Sequence, residues 1–291
     1  MQLRLRLGHT TVSFLADSYV PWDHKLSAFC CPAETSVDTA SDEHGDADFV
    51  YTIHLAQQIH VRENCLLRET RFFKVYTDGA HEVWYYTFPD GQIYACCREE
   101  AAGHFSIHYL QDLKDYLAGN VTLFYLAALE YRMIKKGDMI LHSSYILDQD
   151  KAILFTAPSG TGKSTQAHLW QDARGSQIIN GDRALLQKGN DGWYAGGWPM
   201  SGSSGISTPH LAPIRAVVVL SQSSQNLGHR LTAEESFDSL KQEIVLRPWS
   251  SADIALVGKH LRDFCGDIPV YAYACRKDAS AVTDLLDILD C

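Results

Sequence analysis

No run of the sequence stays apolar for the 18 or so positions that a bilayer-spanning helix needs. The best candidate, residues 121–129, is short and bounded by Asn120 and Glu130. No membrane partner is therefore expected. The first seven residues lack the apolar core of a secretory signal, so none is expected there. Positive charge is also scarce. Lys plus Arg number 25 against 35 Asp plus Glu, a net charge of −10. A general nucleic-acid binder needs a basic face, so this balance argues against nucleic acid as a partner. Cysteine is not rare, with eight in the chain, but no two form a Cys-x-x-Cys pair. Cys30-Cys31 and Cys96-Cys97 are adjacent, which in a strand would send their side chains to opposite faces. Buried, reduced thiols in a cytoplasmic protein are the expectation.

There is no internal repeat and no long low-complexity tract. With 46 % hydrophobic and 21 % charged residues, the composition is globular rather than disordered. A chain of 291 residues suits about two domains and can bury a core without disulfide or metal staples.

The amino-terminal part reads as strands. Leu3, Leu5 and Leu7 alternate with Arg4 and Arg6, the pattern of a half-buried strand. Residues 33–48 are acidic and poor in large apolar side chains, and read as an exposed loop. Four aromatic and β-branched segments follow, at 49–55, 71–76, 82–88 and 92–97. Turn signals at Asp78-Gly79 and Asp90-Gly91 separate the last three, so an antiparallel meander is expected. From Leu110 the period changes. Leu110, Leu113, Leu117, Val121, Phe124, Ala128 and Tyr131 recur at helical spacing, through a weak point at Gly119, until Gly137 stops the helix. Two apolar strands at 139–147 and 152–156 follow, joined by the polar turn 148–151. A helix at 164–172 and a strand at 177–180 come next. Further strands (such as 214–220) alternate with helices (such as 233–245 and 279–289). The expected organisation is a β-rich module over 1–108 and an α/β domain over 109–291.

The most specific segment is Ala157-Pro-Ser-Gly-Thr-Gly-Lys-Ser-Thr165. It fits the phosphate-binding P-loop pattern except that Ala157 stands where the first glycine falls, a position that needs only a small residue. A strand runs into it and a helix starts from it, as the chemistry requires. Glycines let successive backbone N–H groups point inward at an anion, and the helix N-terminus adds partial positive charge. Ser159, Gly160, Thr161, Gly162, Lys163, Ser164 and Thr165 are thus the candidate nucleotide-binding residues. Lys163 is expected to reach the β- and γ-phosphates, and the Ser164 hydroxyl to bind Mg²⁺. Asp182 ends the next apolar strand and is the second candidate metal ligand. The cofactors expected are ATP, or another nucleoside triphosphate, and Mg²⁺.

The segments 141–147, 152–165 and 178–183 together resemble the HPr kinase/phosphorylase catalytic core. They are closer still to bacterial HPr-kinase-related proteins, some of which act as kinases in peptide-modification clusters. The resemblance covers about residues 139–220. It implies a P-loop, phosphoenolpyruvate-carboxykinase-like mixed sheet with flanking helices, and a histidine, His142, beside the reaction centre. Where HPr kinases carry two adjacent acids, this chain has Gly181-Asp182, so one acid is missing and either the base or a metal ligand must be supplied otherwise. No HPr-specific signature follows, so HPr is not implied as the acceptor.

The candidate catalytic residues are therefore Lys163, Asp182 and His142. Either Asp182 or His142 could serve as general base, His142 because an imidazole titrates near neutral pH. The glycine- and serine-rich segment 196–205 could return to the same edge, with Trp198 as an apolar wall. Arg215 and Arg247 are candidate phosphate clamps. A zinc site from His104, His108, Cys96 and Cys97 is a weaker reading, and His54 and His60 read as ordinary. The function expected is an ATP- and Mg²⁺-dependent kinase acting on a hydroxyl of a peptide, protein or small metabolite. The alternative is a nucleotide-binding regulatory or assembly protein without transfer activity. A third option, an NTPase driving a conformational change, has no water-positioning motif to support it. The sequence leaves a homo-oligomer open.

Overall fold

The computed structural model describes residues 1–22, 24–31, 47–61 and 65–290. The acidic loop read at 33–48 falls outside them except for its last two residues. The chain divides into two compact units, residues 1–129 and 130–291. No helix among the described residues is long and apolar enough to cross a membrane.

The first unit is built on one eight-stranded sheet. Its strands are β1 (Gln2–Leu7), β2 (Thr10–Ala16), β3 (Phe49–Ala56), β4 (Cys65–Glu69), β5 (Phe73–Thr77), β6 (Glu82–Thr87), β7 (Ile93–Ala101) and β8 (His104–Leu110), in the order β1-β2-β3-β8-β7-β6-β5-β4. From β4 to β8 it is the expected meander. The sheet is nonetheless mixed rather than antiparallel, because β3 pairs in parallel with both β2 and β8. Alternation marks a strand and its buried face but not its partner, so the sequence did not reveal this. Phe14, Tyr51 and Phe105 stack across β2, β3 and β8, with ring centroids 5.1 and 4.8 Å apart. On the other face Val83, Tyr85 and Cys96 form a smaller cluster.

The single helix expected from Leu110 is broken into four pieces. A 3-10 turn (Gln111–Ala118) ends at Gly119, which is extended. Helix α1 (Asn120–Ala127) follows and stops where Ala128 turns left-handed at φ 47°. Helix α2 (Leu129–Arg132) and a 3-10 turn (Met133–Lys136) complete the stretch, and Gly137 closes it at φ +86°. Leu123, Phe124, Leu126, Ala127, Ala128 and Leu129 are all buried. A segment apolar all round has no polar face to keep it straight at a surface.

The second unit also holds eight strands: β9 (Met139–Asp148), β10 (Lys151–Thr156), β11 (Gln177–Asn180), β12 (Arg183–Lys188), β13 (Trp193–Gly197), β14 (Leu211–Gln222), β15 (Leu227–Arg230) and β16 (Val270–Cys275). Strands β9, β10, β14, β13 and β12 close a ring of pairings. The β9–β10 hairpin turns on Gln149 and Asp150, at φ 49° and 65°. Its Asp148 accepts hydrogen bonds from Arg174 and Ser176. Helices α3 (Lys163–Arg174), α4 (Ala233–Leu240), α5 (Ser251–Asp267) and α6 (Ser280–Asp290) flank the strands. Helix α4 ends at Leu240, short of the helix read at 233–245, and residues 241–243 form a turn. Two cores result. One gathers Leu141, Leu154, Leu186 and Val217 with Val257, Leu261 and Phe264 of α5. The other gathers Ile146, Phe155 and Val218 with Ala167 and Trp170 of α3. Strands β10, β14 and β16 run parallel, so their carboxyl ends share one edge.

Candidate active site

The edge formed by those carboxyl ends carries the glycine loop. After Thr156 the chain leaves β10, passes through 157–162 and enters α3 at Lys163. Gly160 and Gly162 have φ of +80° and +127°, a backbone that side-chain-bearing residues rarely adopt. A Cβ at either would meet nothing within 4 Å, so it is the backbone conformation and not crowding that calls for glycine there. Ser159, Ser164 and Thr165 are exposed, and Thr161 is half-buried. Lys163 is buried, and its ammonium donates to the Ala157 carbonyl at 2.7 Å. Burial lowers the Lys163 pKa, opposed by the charges of Glu243 and Asp182. At the neighbouring strand end, Gln222 of β14 donates to the Thr161 carbonyl at 3.1 Å.

Strand β9 brings the other candidates to this loop. Along 143–148 it pairs with β10. On its other side it pairs with β11 at 145–147 and with β12 at 139–142. Between β11 and β12 the chain must turn, and Asp182 lies in that turn. Asn180 builds it. Fully buried, Asn180 accepts from the backbone N–H of Asp182 at 2.8 Å and of Arg183 at 2.9 Å. Its amide donates to the carbonyls of Trp198 and Met200. Ser143 N–H then donates to the Asp182 carbonyl at 3.0 Å, and the Ser144 hydroxyl to the Gly181 carbonyl at 3.0 Å. These bonds lock the turn against β9.

His142 and Asp182 are therefore neighbours. His142 Nε2 lies 3.5 Å from Asp182 Oδ1. Thr156 Oγ1 at the loop entrance donates to the His142 carbonyl at 2.9 Å. Asp182 raises the His142 pKa above its ordinary value, against burial and the Lys163 charge, and Glu243 adds to the rise. Lys163, His142 and Asp182 thus form one electrostatic cluster. Arg183 Nε donates to Asp182 Oδ2 at 3.2 Å and also pairs with Glu130.

The segment 196–205 does return here. Its Gly202 sits so close to Asp182 that a Cβ would lie 2.8 Å from the Asp182 Cβ and Cγ. Ser204 packs equally tightly on Gly181. Trp198, expected as an apolar wall, is fully buried, and its carbonyl receives the Asn180 and Ser207 side chains.

Several candidates fall outside the cluster. Arg215 lies near the start of β14, at the opposite end of the parallel strands, where it pairs with Asp290 and Asp148. Arg247 is buried against Asp253, donating from Nε at 2.5 Å and from an Nη at 2.8 Å. Neither arginine is placed as a clamp, because each already serves a structural carboxylate. In the first unit the rings of His54 and His108 lie 5.0 Å apart. Among the described residues no three or more His, Cys, Asp or Glu side chains are grouped to hold a metal. The cysteines among the described residues are free, but Cys30 and Cys65 are exposed rather than buried as expected.

Two residues of the site escaped the sequence reading. Asn180 has a local signal, an Asn opening a tight turn after a strand. Glu243 has none. It lies 101 positions from His142, in a stretch read as helix, yet its carboxylate sits 3.0 Å from His142 Nδ1.

No protein-family model matches this chain, and no curated protein matches it. Among solved structures the chain is similar to the HPr(Ser) kinase/phosphatase from Coxiella burnetii. The identity is 12 % over 51 % of this chain and 93 % of that one, with a TM-score of 0.31, too slight a likeness to carry the function.

Proposed function

We propose that residues 130–291 carry a P-loop phosphotransferase site of the HPr-kinase-like, phosphoenolpyruvate-carboxykinase-like type. It would move the γ-phosphoryl group of ATP, or another nucleoside triphosphate, to a hydroxyl on a peptide, protein or metabolite. The observation that carries this reading is the His142–Asp182 pair at the mouth of the glycine loop, with Lys163 inside the field of the same carboxylates.

The residues present suit the ligands. The positive-φ glycines give the loop its curled backbone, and the exposed Ser164 hydroxyl stands on the first turn of α3. Ser164 and Asp182 would hold Mg²⁺, which when bound neutralises charge on the phosphate oxygens. Lys163 would leave the Ala157 carbonyl for the phosphates. Asp182 is the better base of the two candidates. A histidine whose pKa is raised and whose two nitrogens both face carboxylates has no lone pair ready for a substrate proton. In the transfer step the acceptor oxygen bonds to the γ-phosphorus as its proton passes to Asp182. The bond from that phosphorus to the β-phosphate oxygen breaks, leaving a nucleoside diphosphate. His142, charged, would steady the Asp182 carboxylate. The enzyme is assigned to the cytoplasm.

Incubation with γ-labelled ATP, Mg²⁺ and cell extract tests this. Label on an acceptor, lost in Lys163→Ala and Asp182→Asn, is the expected result. Free phosphate alone would mean an NTPase. Binding without turnover would mean a regulatory nucleotide-binding protein.

A further inference from the structure

We propose that Glu243 is a positioning residue of this site, acting through His142. The inference rests on the phosphoryl-transfer reading above.

The geometry is specific. Glu243 Oε2 lies 3.0 Å from His142 Nδ1, while the other ring nitrogen faces Asp182 at 3.5 Å. An imidazole has only these two polar atoms, so a partner fixed on Nδ1 sets the ring plane and the direction of Nε2. Carboxylates orient histidines in this way both in hydrolase triads and around metals. The Glu243 side chain is 16 % exposed, which keeps water from competing for the bond.

The backbone holds Glu243 in place. His142 N–H donates to the Glu243 carbonyl at 2.9 Å, and Val245 N–H to the Ile140 carbonyl at 2.9 Å. A bridge joins Leu141 to Ile244, and Ile244 is buried in the core. Residues 243–245 thus form a short clamp on the start of β9, and the same clamp delivers the carboxylate. The charged and titratable groups acting on His142 are Asp182 from the β11–β12 turn, Lys163 from α3 and Glu243 itself.

Two readouts test the inference, and they separate it from the kinase reading. The first needs no turnover. The proton on His142 Nδ1, assigned by ring-nitrogen NMR, should resonate downfield in wild type. It should keep that position in Glu243→Gln, whose amide oxygen still accepts, and lose it in Glu243→Ala. The second is a double-mutant cycle on transfer. Glu243→Ala should lower kcat by about 10- to 100-fold, the usual range for a lost orienting partner of a functional histidine. Triphosphate Kd should stay within about twofold, and Glu243→Gln should recover part of the loss. In a His142→Ala background the same change should cost less than about twofold, because the residue through which it acts is gone. An unchanged Nδ1 resonance in Glu243→Ala, or an equal loss in both backgrounds, would overturn the inference. Wild-type protein that transfers no phosphoryl group would count against the kinase reading alone, and the resonance would still decide the Glu243–His142 link.

Discussion

His142 sits between Asp182 and Glu243 and within the field of Lys163, and its pKa follows from that company. The net shift is upward: the bond to Asp182, and after it Glu243, raise the pKa against burial and the Lys163 charge. Stability gained from a raised histidine is fully present below the ordinary value of about 6.5. It is lost as pH climbs through the raised value. Thermal melts of wild type and His142→Gln should therefore differ most near pH 6 and converge toward pH 9. A difference that widened with pH would contradict the assignment of His142 as the charged partner. Lys163 makes a separate prediction. Lys163→Ala should abolish triphosphate binding while leaving the melting temperature close to wild type, because its ammonium bonds only a carbonyl of its own loop. Unchanged affinity in calorimetry would remove the loop from the account.

Strand β9 and the β11–β12 turn show which parts of the site could be read from sequence. The loop was legible because its glycines, lysine and flanking elements are consecutive. The 148–151 turn and the 177–180 strand were legible for the same reason. Asp182 was found as an acid at a strand end, and His142 by resemblance. Glu243 was not, since its approach depends on a clamp between segments far apart in the chain. The broken helix from Leu110 shows the opposite error. Its spacing looked helical, yet burial on every side and the extended Gly119 override periodicity. The turn itself is testable. Asn180→Ala leaves the half-buried Met200 carbonyl and the N–H groups of Asp182 and Arg183 without their partner. It should destabilise the protein by about 1–3 kcal/mol in denaturant titration. Gly202→Ala is subtler. Its Cβ would lie 2.8 Å from Asp182 at a backbone φ of +55°. Transfer should fall at least about tenfold with little change in triphosphate affinity, as expected when a reacting group is displaced by less than about 1 Å. Wild-type kcat in that variant would show that the segment 196–205 does not brace Asp182.

The whole chain comprises a β-rich unit and an α/β unit, each with its own core. Composition and pattern revealed both classes of structure, because alternation and helical spacing are local. They did not reveal the parallel pairing of β3, nor the ring of pairings through β9, β10, β14, β13 and β12, because partner choice depends on contacts far apart in sequence. If the α/β unit alone holds the site, Mg²⁺ and ATP should raise the unfolding temperature of residues 130–291 and leave that of 1–129 unchanged. Hydrogen exchange resolved along the chain would show this. Phosphoryl transfer by wild type and by Asp182→Asn, followed with γ-labelled ATP and Mg²⁺, tests the central claim most directly. The account predicts label on a hydroxyl acceptor with wild type. With Asp182→Asn the rate should be lower by about a hundredfold or more, the usual range for losing a general base. Label that never leaves the nucleotide, or an Asp182→Asn variant as fast as wild type, would contradict it.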